Sequence, residues 1–211
     1  MHLNRLGRFS LLAFLTASLM AAGDVRGESF SSLTSLIPQR SDMSGSAWTV
    51  CTDADWAPFE WIAIDGTSIG FDLDVLRIIA WFEGTSIAVQ NISFDNIIPS
   101  LQVGQCDIGA AAMTITPERD QVVDFSQPYW WMEHETYGFT VREGDPKELL
   151  SSINQGIDSL RSAHVWPFLV AAYFGSDPST IERARNQCQG LMDQGDMSGF
   201  VNCLFSAIYP S

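Results

Sequence analysis

The chain is poor in basic residues, and in lysine above all. Of its 211 residues 11 are basic and 25 acidic, the formal charge is −14, and Lys147 is the sole lysine. Without a basic stripe to neutralise a phosphate backbone, nucleic acid is not expected as a partner, and an anionic membrane face is a poor one. Long hydrophobic runs are missing as well: beyond residue 23 no stretch reaches the roughly 18 to 20 apolar residues that span a bilayer, so direct membrane insertion of the processed chain is not expected. The four cysteines occur without a C-x-x-C or a Cys/His cluster, which excludes a recognisable zinc site. There is no nucleophile motif. His134 beside Glu133 and Glu135 is the one acid–base grouping, and it reads as a solvated surface pair.

What is present begins with Arg5 and Arg8, followed by an apolar stretch from Phe9 to Ala22 that ends on the small residues Ala21-Ala22-Gly23. This pattern predicts a secretory signal peptide over residues 1–23, with Gly27 as a second cleavage candidate. Its removal takes away two positive charges and no negative one. No cysteine follows the small residues, so a lipid anchor is not expected. Serine-rich residues 24–47, with Pro38 and Gly45, read as a flexible leader. In an exported chain cysteines can oxidise. Cys188 and Cys203 are expected to close a short helical hairpin in the tail, whereas Cys51 and Cys106 are expected at opposite edges of a sheet, too far apart to bond, as small buried hydrophobes.

Periodicity and punctuation predict a strand over Trp48–Thr52, a hairpin around Asp65-Gly66, and a helix from Asp72 closed by Gly84. A strand over Ile87–Ser93, an Asp95-capped helix to Val103 closed by Gly104, and a strand over Asp107–Met113 follow. The order β-α-β-α-β implies a parallel sheet with right-handed crossovers, and ligands bind at the carboxyl ends of such strands. Those ends are Asp53–Phe59, Phe94 and Thr114. The run Met113–Arg119 adds Thr116 as an N-cap, Pro117 at the first helical position and Arg119 in the first turn. There a guanidinium fork and the Thr114 hydroxyl could clamp a carboxylate. The alternative is a capped surface helix whose Arg119 pairs with Asp120 or Asp124.

Five segments in order resemble the bacterial extracellular solute-binding proteins of family 3: Val50–Glu60, Ile69–Val75, Ser93–Gln102, Cys106–Arg119 and Val123–Tyr129. The resemblance implies an α/β, single-lobe periplasmic-binding-protein-like domain, a parallel sheet with flanking helices, periplasmic or secreted. It implies a polar amino acid or small carboxylate as ligand and no cofactor or metal. By the same resemblance Trp56 and Phe94 sandwich the ligand, Asp53 meets its polar or cationic end, and the Ala112 carbonyl takes its ammonium. Thr114 and Arg119 hold its carboxylate, while Glu60 and Glu118 are solvated. Family members have two lobes. Here the hinge-like Tyr137–Asp145 runs straight into Pro146–Asn154, which resembles the family's terminal helices, so the second lobe is missing. The lobe then covers residues 48–175, and 176–211 form a helical tail without a counterpart. ABC-type import or sensing, with a membrane permease or periplasmic protein as partner, is the function the resemblance implies. The competing readings are a ligand-free protein docking a partner through the Tyr129–Met132 aromatic run and, further off, a dehydratase-like enzyme.

Overall fold

The computed structural model describes residues 45–163 and 165–209. The expected signal segment, and the leader up to residue 44, lie outside them. Along the chain come β1 (Trp48–Thr52), then β2 (Asp55–Trp56), β3 (Glu60–Ile62), β4 (Ser68–Ile69), helix α1 (Phe71–Phe82), β5 (Ile87–Asn91), α2 (Phe94–Gln102) and β6 (Ile108–Gly109). β7 (Val123–Phe125), β8 (Trp130–Met132), β9 (Glu135–Tyr137) and β10 (Thr140–Arg142) follow, and the chain closes with helices α3 (Leu149–Ser162), α4 (Val165–Phe174), α5 (Pro178–Asp193) and α6 (Met197–Ile208).

The central sheet runs β5-β1-β6-β10-β7. β1 is parallel to both neighbours, Val50 lying opposite Val89 on one side and Ile108 on the other. The sheet is parallel over these three strands only, because β10 returns antiparallel to β6 and to β7. Successive side chains of a strand point to opposite faces: Val50, Ile108 and Ala110 join the larger core with α1 and α3 to α6, whereas Cys51 and Ala111 join a smaller one with Ile97 and Leu101 of α2. The two crossovers therefore cover opposite faces. They send β5 and β6 to opposite sides of β1, which opens a crevice at the strand ends.

The same strand order corrects the expectation for Cys51 and Cys106. β1 lies inside the sheet, between β5 and β6, rather than at an edge, and Cys106 lies in the approach to its neighbour β6. The two are disulfide-bonded, with Cα atoms 5.8 Å apart. Three further expectations change. Only Ile108–Gly109 of the third strand joins the ladder, and the segment after Thr116 makes two successive hydrogen-bonded turns, Asp120 N–H to Thr116 O at 2.9 Å and Val123 N–H to Arg119 O at 3.1 Å, instead of a helix. Ser93, not Asp95, holds the N-cap position of α2.

At the start of α1, Gly70 has φ +149°, and a Cβ there would fall 2.0 Å from the Phe59 carbonyl oxygen. That closeness lets Phe71 N–H and Asp72 N–H bond the carbonyls of Pro58 and Phe59 at 3.0 and 3.1 Å, seating α1 on the β2–β3 turn. Gly84 (φ +72°) ends the same helix as expected. The tail helices α5 and α6 are joined by Cys188–Cys203, Cα atoms 5.7 Å apart, and pack into the main core through Ile181, Phe200 and Leu204. Trp81 Nε1 donates to Gly195 O at 2.9 Å, and Ile64 N–H to Glu182 Oε1 at 2.7 Å, fixing the tail to α1 and the β3–β4 turn. No helix among the described residues is long and apolar enough to cross a membrane.

Candidate ligand site

A depression of about 380 Å³ opens where the strands end, and its wall contains Asp53, Trp56, Phe94, Ala112 and Thr114. β1 delivers Asp53, whose Oδ2 accepts the Phe94 N–H at 2.8 Å and so satisfies a free donor at the start of α2. Trp56, on the short β2, is 54% exposed and presents a ring face. Ala112 follows β6 with φ +42°, a conformation unusual for a residue with a Cβ. It is held there by its N–H on Asp72 Oδ2 at 3.0 Å. Thr114 bridges to Tyr137, which brings β9 over the crevice.

Arg119 does not join that wall. Its guanidinium lies 5.1 Å from the centroid of the Phe94 ring, and Nη1 donates to the Thr114 carbonyl at 2.9 Å, so it adjoins two wall residues from the side. This Thr114 bond, rather than an Asp120 or Asp124 carboxylate, positions its fork; Asp124 Oδ2 instead accepts the Gly144 N–H at 2.7 Å.

The wall also holds residues to which the sequence gave no ligand role. Asp55, Glu60, Ala111, Glu135 and Tyr137 complete it. Glu135 and Tyr137 alternate on β9 and therefore share a face, a period-two signal that was available. Glu135 Oε2 accepts from the Thr114 and Tyr137 hydroxyls, both at 3.4 Å. Glu60 corrects an expectation: it is 1% exposed instead of solvated, while Glu118 is exposed as expected. The seating of α1 on the β2–β3 turn brings Asp72 against Glu60. Burial, then the Asp72 charge beside it, drives the Glu60 carboxyl far above the carboxylate range. Burial likewise raises Asp72, partly offset by the Tyr129 hydroxyl, which donates to its Oδ2 at 2.6 Å, and by the Ala112 N–H. Carboxyls raised in the folded state favour folding while protonated, so their contribution fades as pH climbs above the ordinary range of about 4. Glu60→Gln should accordingly flatten the fall in melting temperature between acid and mildly alkaline pH, as a scanning melt at several pH values would record.

The expected aromatic patch is largely packed away. Tyr129 is buried, Trp130 stacks on Phe174 at 4.1 Å, and of the run Tyr129–Met132 only Trp131 is classed as exposed, its ring 5.3 Å from the Arg161 guanidinium. Among the described residues no three His, Cys, Asp or Glu side chains are placed to hold a metal ion.

Residues 48–176 match the sequence profile described as bacterial extracellular solute-binding proteins, family 3. A probable histidine-binding protein of Neisseria gonorrhoeae is 28% identical over 145 residues, covering 67% of this chain and 52% of that one. The arginine-binding extracellular protein ArtP of Bacillus subtilis is 39% identical over 83 residues, 39% of this chain and 32% of the relative. The chain thus spans about half or less of these relatives' length. Among solved structures, the arginine-bound form of domain 1 from TmArgBP superposes with a TM-score of 0.51 at 37% identity, over 55% of this chain and 94% of that one.

Proposed function

Because the chain belongs to the family 3 bacterial extracellular solute-binding proteins, we propose that its depression captures a polar amino acid with a cationic side chain, as an exported single-lobe module serving import or sensing. The observation that carries this reading is the composition of the wall: four acids, Asp53, Asp55, Glu60 and Glu135, stand among the Trp56 and Phe94 rings, and no basic side chain joins them. Such a wall favours an ammonium or guanidinium, stacked on an aromatic face. Relatives named for arginine and histidine, and an arginine-bound form of a single domain, support the choice.

The amino acid's carboxylate falls to Thr114 and to the remaining donors of the Arg119 fork, which has five N–H groups and spends one on the Thr114 carbonyl. The site is open and lacks the wall that an opposing lobe would supply. Each missing charge-assisted hydrogen bond is worth roughly 1.5 to 3 kcal/mol, so affinity in the millimolar range is expected.

Calorimetric or ligand-observed NMR titration of the chain with L-arginine, L-histidine and L-glutamate tests the reading. Arginine should bind best and glutamate not measurably. Arg119→Ala should weaken arginine by more than about 100-fold, equivalent to two lost charge-assisted bonds, and Trp56→Ala by about tenfold. Tight binding indifferent to Arg119→Ala would move the site elsewhere. Failure of every amino acid to bind would favour the partner-docking reading, with Trp131 as its exposed ring.

A further inference from the structure

We propose that Glu60 receives the ligand's cationic head at the floor of the depression by surrendering a proton it shares with Asp72, so that capture of an ammonium or guanidinium releases about one proton to solvent. This rests on the amino-acid-binding reading above and assigns the charge exchange within that site.

The geometry is unusual for a carboxyl group. Glu60 is almost completely buried yet forms part of the wall of an open depression. Its Oε2 and the Asp72 Oδ1 are both buried without a hydrogen-bond partner. As two carboxylates they can only repel; a single proton between them makes one a donor and the other an acceptor. The groups facing the pair do not offer another solution. Asp53 after β1, Asp55 on β2 and Glu135 on β9 are acids, while Tyr137 on β9 and Tyr129 after β7 are phenols, the latter already donating to Asp72. No basic side chain stands in the wall, and Arg119 lies against the Phe94 ring and the Thr114 carbonyl. In the empty site a proton is therefore the counter-ion, consistent with the raised carboxyl of both residues.

A ligand cation reaching Glu60 replaces that counter-ion. The O–H bond of the pair breaks, the proton passes to solvent, and the Glu60 carboxylate becomes the acceptor for the ligand N–H donors; nothing is oxidised or reduced. Asp72 meanwhile keeps the Ala112 N–H on Oδ2, so the backbone of the opposite wall stays attached to the same pair.

The experiment is calorimetric titration of the full chain with L-arginine at neutral pH in phosphate and in Tris, whose ionisation heats differ widely. Wild type should show a buffer-dependent heat equivalent to about one proton released. Glu60→Gln keeps the shape but cannot ionise, and should weaken arginine at least tenfold and abolish the buffer dependence. Asp53→Asn should weaken binding and leave the proton count unchanged. Infrared difference spectroscopy of the ligand-free chain gives a second readout, a protonated-carboxyl stretch at neutral pH that Glu60→Gln removes. Equal heats in both buffers with arginine bound would overturn the proposal and leave the amino-acid reading standing. Absence of the protonated-carboxyl band would overturn it whether or not arginine binds. Failure of arginine to bind defeats the underlying reading, and the ligand exchange with it.

Discussion

Arg185→Ala should remove about 3 to 5 kcal/mol of stability, as expected when one partner of a buried ion pair is deleted. Its guanidinium grips Asp74 bidentately, Nη2 to Oδ1 at 2.6 Å and Nε to Oδ2 at 2.9 Å, with both side chains buried. Arg77 adds a bond to Oδ1 at 2.8 Å, the Tyr173 hydroxyl donates to Oδ2, and the Phe200 ring lies 5.6 Å from Arg185. One carboxylate on α1 thus collects donors from α1, α4 and α5. Burial alone would raise the Asp74 carboxyl, but Arg185 and Arg77 outweigh it and hold it below its ordinary value. The charge persists, and removing its best partner leaves it poorly compensated. At about 2 to 4 °C per kcal/mol for a chain of this size, the melting temperature should fall by about 10 °C. Asp74→Leu combined with Arg185→Met should cost clearly less, since apolar replacement of both charges is often close to neutral. A loss below about 1 kcal/mol for Arg185→Ala, measured by urea denaturation, would mean the pair is not the fastening of the tail.

The second large effect is expected from Cys51 and Cys106. Serine at both positions opens a loop with a sequence separation of 55, against 15 for Cys188 and Cys203. In the chain-entropy account the longer loop is worth about 4 kcal/mol and the shorter about 3. The ordering is the test: the Cys51/Cys106 double variant should unfold at lower denaturant than the Cys188/Cys203 one, with an unchanged far-ultraviolet spectrum before the transition. The reverse order would show that the tail bond closes the more consequential loop.

Elements whose pattern is local were legible in the sequence. β1, α1 and β5 announce themselves through apolar runs, and Gly84 marks a helix end by its backbone freedom. The gathering of Asp53, Trp56, Phe94 and Thr114 around one depression followed from a rule about strand ends, which needs only the element order, while Ala112 came from the family resemblance. What was not legible depends on lateral order and on company. Whether Cys51 lies on an edge strand or on an interior one is decided by the sides of β1 to which the crossovers return, which no spacing records. Glu60 is a lone acid in the run Trp56–Ile64, and nothing local says what it faces until Gly70 brings Phe59 and α1 into contact; its burial is a property of that contact. The turn at Thr116 carries good cap chemistry, yet Asp120-Gln-Val leads into β7 too soon for a helix to form. Arg119 keeps its place beside Thr114, but its direction is set by the Phe94 ring and a carbonyl, two partners from different segments.

The Cys51–Cys106 bond also turns residues 51–106 into a covalent ring, and this ring contains Asp53, Trp56, Glu60, Asp72 and Phe94. Its most prominent point is the β3–β4 turn, where Ile64 is 95% exposed. A protease that nicks the backbone there cuts a circle, not a line. The two pieces stay one molecule until a reductant reaches a bond buried beneath α2, so a nicked chain retains its covalent integrity in the oxidising surroundings that allow the bond to form.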